Sequence, residues 1–167
     1  MKTIFKYLLI TFFLFCTSAL QAQDIPKWKL TDMEAAIKKA DRPTIFNFWA
    51  TFCKPCIEEM PHFQEIVKKY DSAGVQLILV SLDLSEAYPT KILAFAKKRK
   101  IVNTVTFLDE TNADLFCPAV DPKWSGAIPA SLFINNKTGY RSFFEEQLSK
   151  EQLEKEVLKM INEKARL

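Results

Sequence analysis

The residues best suited to chemistry in this sequence are two cysteines, Cys53 and Cys56, within the segment FNFWATFCKPCIEEMPHF. Two cysteines at this spacing can bind a metal, staple a fold, attach a haem or form a redox couple. A zinc site needs two further ligands, and the chain has a single histidine, His62. Haem attachment needs a histidine directly after the second cysteine, where Ile57 stands. The pattern therefore favours a redox pair over a metal site.

The elements that must position this pair alternate between strands and helices. Mostly apolar runs predict strands over residues 44–50, 75–82, 104–108, 130–135 and 140–146, the last two forming a hairpin across NKTG. Apolar residues at helical spacing predict helices over residues 31–40, 53–70 and 88–99, and a last helix that begins at Ser149, with Gln152 completing a capping box. Residues 109–127 are expected to form a loop with a short helical turn. This order predicts an α/β fold with a central mixed β-sheet flanked by helices on both faces.

Cys53 falls between a predicted buried strand and the start of a helix. At that point the backbone amides and the positive end of the helix dipole stabilise a thiolate. Cys56 lies one turn further into the helix and closer to the core, and Pro55 stiffens the segment between them. This asymmetry predicts an exposed attacking sulfur on Cys53 and a shielded resolving sulfur on Cys56.

The segment FNFWATFCKPC resembles the active-site strand and motif of the thioredoxin superfamily, and it is most similar to the secreted TlpA/ResA-like branch. Pro61 falls where thioredoxins kink the active-site helix, and Glu59 falls where this branch often carries an acidic residue. The later segment WSGAIPASLFIN is similar to the one that carries a cis-proline, which assigns that role to Pro129. The resemblance covers nearly all of the chain after its N-terminal segment and implies a thioredoxin fold.

The resemblance implies a protein-disulfide oxidoreductase in which Cys53 and Cys56 form a reversible disulfide and act without a cofactor. The Cys53 thiolate would attack a disulfide in a partner protein, and Cys56 would then resolve the mixed disulfide. Backbone groups beside Pro129 would hold an extended segment of the partner. The family further implies a reductase that draws electrons from a membrane-embedded donor, with cytochrome c maturation as a frequent task.

Two residues depart from the family pattern. Phe52 stands where a tryptophan usually precedes the first cysteine, which keeps an aromatic surface but loses an indole donor. Asn47 stands where cytoplasmic thioredoxins place a buried aspartate that helps to move the proton of the resolving thiol. Because asparagine cannot take that proton, Glu59 becomes the candidate proton acceptor for Cys56. The alternative for Glu59 is a helix-start charge that merely complements the dipole.

Further candidates surround the redox pair. The predicted substrate contacts are Trp49, Phe52, Trp124 and Ile128. Core packing is the alternative role for both tryptophans. His62 is expected to have a surface or packing role. Cys117 is expected to be a small buried apolar residue, with a regulatory thiol as its alternative.

The N-terminus has the layout of a secretory signal peptide, assigned to residues 1–22. Two lysines lie before or beside an apolar run over residues 7–16, and a plausible cleavage site follows Ala22. The apolar run is too short to span a bilayer as a helix. Residues 23–167 would then form one thioredoxin-like domain in an oxidising compartment, which we expect to be the periplasm. The alternatives are an uncleaved membrane anchor and lipidation at Cys16.

Charge and cysteine content narrow the choice of partners. A net charge of +3 is too small to indicate nucleic-acid binding, and the basic run over residues 97–100 ends a predicted helix. Without Cys16, three of the four cysteines remain, and three cannot all pair within one molecule, which excludes a staple-rich fold. We expect a monomer whose substrates are protein disulfides and dithiols.

Two rival functions come from other classes. A peroxiredoxin-type thiol peroxidase would need a threonine shortly before the reactive cysteine, for which Thr51 is suggestive, and a partner arginine. A copper-binding or copper-delivery protein would use both thiols together with a histidine or methionine ligand. The CxxC spacing favours disulfide exchange over peroxidase chemistry, and assays of peroxide consumption and copper(I) binding would separate the three functions.

Overall fold

The computed structural model describes residues 24–163 and shows an α/β architecture. The signal peptide predicted for residues 1–22 and the lipidation alternative at Cys16 lie outside the described residues, as do residues 23 and 164–167. Within the described range the strands are Lys27–Trp28 (β1), Thr44–Trp49 (β2), Gln76–Ser81 (β3), Thr104–Leu108 (β4), Ala130–Asn135 (β5) and Tyr140–Phe144 (β6). The helices are Leu30–Lys39 (α1), Lys54–Lys69 (α2), Thr90–Lys98 (α3), Ala113–Val120 (α4) and Lys150–Asn162 (α5).

The strands form one mixed sheet, as predicted, in the order β1-β4-β3-β2-β5-β6. The first four strands of this order run parallel, whereas β5 is antiparallel to both β2 and β6. Strand β2 is buried along its whole length, which explains its almost uniformly apolar sequence. Phe48 pairs with Ala130, so the end of β2 meets the start of β5 at one edge of the sheet.

Helices cover both faces of this sheet, which confirms the predicted fold class. Successive strand side chains point to opposite faces, so Phe46 and Phe48 join one apolar cluster while Ile45 joins the other. Helices α1 and α4 pack on the first cluster, and helices α2, α3 and α5 pack on the second. Cys53 and Cys56 belong to the second cluster.

The last helix begins where the capping box predicts. Ser149 is the N-cap of α5, and its hydroxyl accepts from the Gln152 amide at 3.2 Å. The Gln152 side chain in turn accepts from the Ser149 amide at 2.8 Å. These two bonds satisfy backbone donors that a helix start otherwise leaves unpaired, so a local pattern fixes this boundary.

Two parts of the fold differ from the predictions. The segment 109–127 contains a helix of eight residues, α4, rather than a short helical turn. The Asn112 side chain caps it by accepting from the Asp114 amide at 3.1 Å, while Pro118 inside the helix disguises its period. Strand β1 escapes prediction because two residues are too few to show a hydrophobic period.

Candidate redox site

The turn after β2 delivers both cysteines to the start of α2. The Cys53 amide donates to the Ala50 carbonyl at 3.0 Å, which closes the turn, and Cys53 is the N-cap of α2. Pro55 lies in the first helical turn, where its missing N–H is not needed. Cys53 and Cys56 form a disulfide, and the Cys56 amide approaches Cys53 Sγ at 3.3 Å. The structure thus holds the oxidised form of the pair that the family resemblance implies.

The two cysteines differ in burial. Cys56 has no exposed surface, whereas Cys53 retains 6%. The helix amide beside Cys53 Sγ would stabilise a thiolate there once the pair is reduced. This geometry favours Cys53 as the attacking thiol and Cys56 as the resolving thiol, and the two roles stay predictions.

Glu59 is fully buried on the same helix as Cys56, beyond the first turn. One carboxylate oxygen accepts from Asn47 Nδ2 at 3.0 Å, and the other accepts from the Leu148 amide at 2.8 Å. Burial raises the pKa of Glu59 to about 7, because these two hydrogen bonds offset the desolvation only in part. A buried carboxyl group with this pKa does not behave as an exposed helix-start charge, and it can exchange a proton near neutral pH.

Asn47 has a role that its residue type alone does not reveal. Its side-chain amide bridges Glu59 and the Ser131 hydroxyl, with both distances at 3.0 Å. An aspartate in its place would set a second carboxylate against Glu59, and the two charges would repel each other. The Asn47 amide instead donates to the Glu59 carboxylate. The acidic residue of this site is therefore Glu59 on α2, and Asn47 on β2 orients it.

The Ile128–Pro129 peptide bond is cis, which confirms the prediction for this bond. Pro129 directly precedes β5, whose first residue, Ala130, pairs with Phe48 of β2. This register brings the proline to the strand end that leads into the turn over residues 50–53, which we call the redox turn. The Tyr88–Pro89 bond, in the segment before α3, is also cis and was not indicated by any sequence motif.

Two of the predicted substrate contacts lie together at the surface. Phe52 directly precedes Cys53, and the residue is 69% exposed. Phe52 and the partly buried Ile128 line the same cavity, which has a volume of about 310 Å³. An apolar surface next to the redox pair is suited to contact with a partner protein.

The two predicted tryptophan contacts lie in the core. Trp49 has no exposed surface and packs against Phe95, with ring centroids 5.0 Å apart. Trp124 is 5% exposed, and its Nε1 donates to the Ala127 carbonyl at 2.8 Å. Trp124 therefore braces the loop before Pro129 from beneath, and the structure does not bring either indole to the surface beside Phe52.

Two carboxylates that sequence reasoning does not single out hold the loops of the site. Asp83, shortly after β3, accepts from the amide and the hydroxyl of Thr51 in the redox turn. Glu145, directly after β6, accepts from the amides of Ser125 and Ala127 at 3.1 and 2.9 Å. The only sequence signal of such a contact is an acidic residue near a strand end. Many surface residues have the same position, so this signal does not single out Asp83 or Glu145.

The remaining candidates are Cys117 and His62. Cys117 is free and buried in α4, as predicted, and burial raises the pKa of its thiol to about 11. The His62 side chain is partly exposed on α2.

Within residues 24–163, no group of three or more His, Cys, Asp or Glu side chains could hold a metal ion. In the same part of the chain, no helix has the length and apolar character needed to cross a membrane.

A mixed sheet of this order, with a CxxC disulfide at a helix start and a cis-proline opening the neighbouring strand, defines a thioredoxin-fold protein. The chain belongs to the AhpC/TSA family, which it matches over residues 16–139. Its fold is similar to that of a thiol:disulfide interchange protein from Chlorobium tepidum, with a TM-score of 0.61 and 20% identity over 76% of this chain and 85% of that one. StoA from Bacillus subtilis has a TM-score of 0.55 and 26% identity, over 70% of this chain and 82% of that one.

Curated relatives place the chain near the ResA-like branch, which confirms the resemblance. ResA from Bacillus cereus is 37% identical over 68 residues, which are 38% of this chain and 39% of that protein. ResA from Bacillus thuringiensis (strain Al Hakam) is 33% identical over 95 residues, which are 49% of this chain and 55% of that protein. Both are named thiol-disulfide oxidoreductases, and the chain spans about half their length or less.

Proposed function

We propose that this protein is a thiol–disulfide oxidoreductase that exchanges disulfides with partner proteins through Cys53 and Cys56. The observation that carries the proposal is the disulfide at the start of α2, with Cys53 at the N-cap and a fully buried Cys56 behind it. The names of the ResA relatives support the same chemistry.

The exchange proceeds by two thiolate attacks, starting from the reduced pair. The Cys53 thiolate attacks one sulfur of the partner's disulfide, so that a Cys53–partner bond forms and the partner's other sulfur leaves as a thiolate. Cys56 then loses its proton and attacks Cys53 Sγ, which forms the Cys53–Cys56 disulfide and releases the partner's second thiolate. Two electrons pass from this protein to the partner, and the reverse sequence oxidises a partner dithiol.

Glu59 is the proposed acceptor of the Cys56 proton. It lies three residues after Cys56, so the two side chains share one face of α2. A pKa of about 7 keeps part of the carboxyl group ionised at neutral pH and makes it basic enough to take a proton. Asn47 and the Leu148 amide hold the two carboxylate oxygens, which fixes the direction of the group.

Phe52, Ile128 and Pro129 are the proposed docking residues for the partner. Phe52 and Ile128 offer the apolar lining of one cavity beside the redox turn. Backbone groups beside Pro129 pair with an extended partner segment, as a neighbouring strand would. For Trp124 we propose an indirect contribution through the loop that it braces. For Trp49, which is fully buried, we propose a contribution through its packing against Phe95.

The proposed setting is the periplasm, with the protein acting as a reductase. The basis is the signal-like sequence of residues 1–22, whose removal would leave residues 23–167 as a thioredoxin-like domain. We propose that this domain acts as a monomer. An uncleaved anchor or lipidation at Cys16 would place the same domain at the membrane. In an oxidising compartment the dithiol must be regenerated, which requires a membrane-embedded electron donor. The proposed substrates are cysteines of exported proteins, including those of apocytochrome c.

The reduction potential of the pair tests the direction of electron flow. Equilibration of the protein with glutathione buffers gives this potential directly. A potential well below that of glutathione supports a reductase, because the dithiol then gives up electrons readily. A potential well above it would make the protein an oxidant and would contradict the proposed direction.

Trapping of mixed disulfides tests the exchange itself. Cys56→Ser removes the resolving thiol, so mixed disulfides with partner proteins should accumulate on Cys53, whereas Cys53→Ser should trap none. Alkylation of the reduced wild-type protein near neutral pH should label Cys53 first. Cys117→Ser is the matched control because Cys117 is buried and free, and it should exchange disulfides like the wild type. Trapping by Cys53→Ser, or faster labelling of Cys56, would overturn the assignment.

A further inference from the structure

Asp83 is a buried carboxylate that the exchange steps do not use. It lies shortly after β3 and is 6% exposed. Both of its oxygens lie 3.1 Å from the Thr51 amide nitrogen, and one of them accepts from the Thr51 hydroxyl at 2.6 Å. The other oxygen accepts from the Ser81 hydroxyl at 2.8 Å. Three donors thus converge on one buried carboxylate, which offsets the cost of taking it out of water.

Thr51 connects this carboxylate to the redox pair. It lies within the turn that the Cys53 amide closes onto the Ala50 carbonyl at 3.0 Å. A second hydrogen bond ties the same region, because the Leu82 amide donates to the Trp49 carbonyl at 2.8 Å. The segment after β3 therefore holds the redox turn through backbone groups and through the Thr51 side chain.

We propose that Asp83 is a positioning residue that acts through Thr51 to hold Cys53 at the N-cap of α2, with its sulfur facing the Cys56 amide. The contact it preserves is the 3.3 Å approach of that amide to Cys53 Sγ. If the turn loses this anchor, Cys53 Sγ moves away from the helix axis. In that position the Cys56 amide and the helix dipole stabilise a Cys53 thiolate less. The turn also presents Phe52 at the surface, so partner docking uses the same anchor. The inference rests on the proposed role of Cys53 as the attacking thiol.

The negative charge of Asp83 affects the pKa of Cys53 in the opposite direction to the anchor that Asp83 provides. A carboxylate near a thiolate repels it and raises the pKa of the thiol. Glu110 lines the same cavity as Asp83 and Phe52. The cation at the start of α2, Lys54, has an 86% exposed side chain and pairs with Glu58 at 3.7 Å. Removal of the Asp83 charge alone would therefore lower the pKa of Cys53, whereas loss of the anchor would raise it.

Alkylation of Cys53 in the reduced protein, measured across a range of pH, separates the two effects. We expect Thr51→Val to slow this reaction at neutral pH by about threefold to tenfold, because it removes the hydroxyl contact while keeping the Asp83 charge, so the thiolate fraction falls. Asp83→Asn weakens the anchor but also removes the charge, so its rate should fall by less. Thr51→Ser keeps a hydroxyl group and should restore the wild-type rate. The matched control is Asp109→Asn, because Asp109 follows the neighbouring strand β4 but accepts from Lys29 at 2.7 Å, and it should leave the rate unchanged.

The outcomes are distinct. Faster alkylation in Asp83→Asn, with no change in Thr51→Val, would mean that Asp83 acts as a charge alone. Unchanged rates in both variants would mean that it only stabilises the fold, and either result overturns the proposal. Thermal unfolding shows whether each variant is folded. If Asp83→Asn fails to fold, the alkylation rate of Thr51→Val alone decides the proposal. Because the titration needs no partner, it still decides the role of Asp83 if the wild type fails to exchange disulfides.

Discussion

Glu59 on α2 and Glu156 on α5 are buried under two helices that pack on the same face of the sheet, yet they meet different partners. Their exposed fractions are 0% and 4%. Glu59 accepts from two neutral donors, the side-chain amide of Asn47 and the backbone amide of Leu148. Glu156 accepts from the Tyr140 hydroxyl and from the charged Lys159 ammonium, the latter at 2.9 Å.

The pKa values of the two carboxyl groups shift in opposite directions. Burial raises the pKa of Glu59 to about 7, and its hydrogen bonds offset this only in part. Burial also raises the pKa of Glu156, but the Tyr140 hydroxyl, Lys159 and the Ser142 side chain together outweigh it, so the pKa falls below the usual value. Burial alone therefore does not make a carboxyl group a proton carrier near neutral pH, because the partners decide which charge state is stable.

The largest expected difference between the two residues lies in how stability depends on pH. The folded protein holds the Glu59 proton more tightly than the unfolded chain does, so the free energy of unfolding should fall as the pH rises from 4.5 to about 7 and then level off. The corresponding change is about 3 kcal/mol. Glu59→Gln cannot titrate, so it should lack this fall. Denaturant unfolding of the oxidised protein at a series of pH values measures both curves.

The useful quantity is the difference between the wild-type and Glu59→Gln curves, because other groups titrate over the same range. Oxidised protein is used so that neither Cys53 nor Cys56 titrates. A difference that stayed constant between pH 4.5 and pH 7 would contradict the raised pKa of Glu59. The glutamine side chain of the variant would still find partners, since the Asn47 amide can turn its oxygen toward the new NH₂ group.

The next largest effect concerns the rate of the resolving step. Glu59→Gln should slow the attack of Cys56 on the mixed disulfide by about tenfold to a hundredfold near neutral pH, because it removes the proton acceptor. In the wild type the rate should rise with pH up to about 7, as Glu59 ionises. In the variant the rise should follow the ionisation of the thiol alone. Stopped-flow measurement of mixed-disulfide resolution across pH gives both profiles, and superimposable profiles would mean that the proton goes to water or to the partner.

Glu59 also shows how far the sequence reaches into this site. Its spacing from Cys56 predicts a shared helix face, and a local strand–helix pattern predicts where the thiols lie. The cis bond at Pro129 is predicted by the family resemblance of its segment. The Leu148 amide that fixes Glu59 is 89 residues away along the chain. Its contact depends on how the segment before α5 packs against α2, which no local pattern encodes.

The residue types of the site are equally limited as guides. Asn47 can be read from the sequence as the loss of an acid, whereas the structure shows that it donates to Glu59 and to Ser131. Trp49 and Trp124 suggest substrate contacts by their position near the motif, but both are buried. Burial of a side chain near a motif follows from the packing of the whole sheet, so it becomes visible only in the folded structure.

Glu156→Gln should have a smaller effect on stability than the titration of Glu59, and one of opposite pH dependence. Loss of the ionised acceptor should lower the free energy of unfolding at neutral pH by about 1–2 kcal/mol. Because the pKa of Glu156 is lower in the folded protein, this stabilisation is present above 4.5 and disappears as the pH falls through the folded pKa. The deficit of the variant should therefore shrink in acid. The resolution profile should stay like that of the wild type, and a slower resolving step would break the distinction between the two glutamates.

The smallest expected effect belongs to Lys159, and it identifies which partner keeps Glu156 ionised. The Lys159 side chain is 53% exposed, so water screens its contact with Glu156. Lys159→Met keeps the apolar stem and should lower the free energy of unfolding by at most about 0.5 kcal/mol. Tyr140→Phe removes a buried hydroxyl donor and should cost more, because the carboxylate then loses a partner that water does not replace. Denaturant unfolding at neutral pH ranks the two variants. If Lys159→Met cost as much as Tyr140→Phe, the Lys159 cation would be what keeps the pKa of Glu156 below that of Glu59. The expected ranking instead assigns this difference in pKa to the buried Tyr140 hydroxyl. Within the described residues, the hydrogen-bond donors to Glu59 are two amides and include no hydroxyl group.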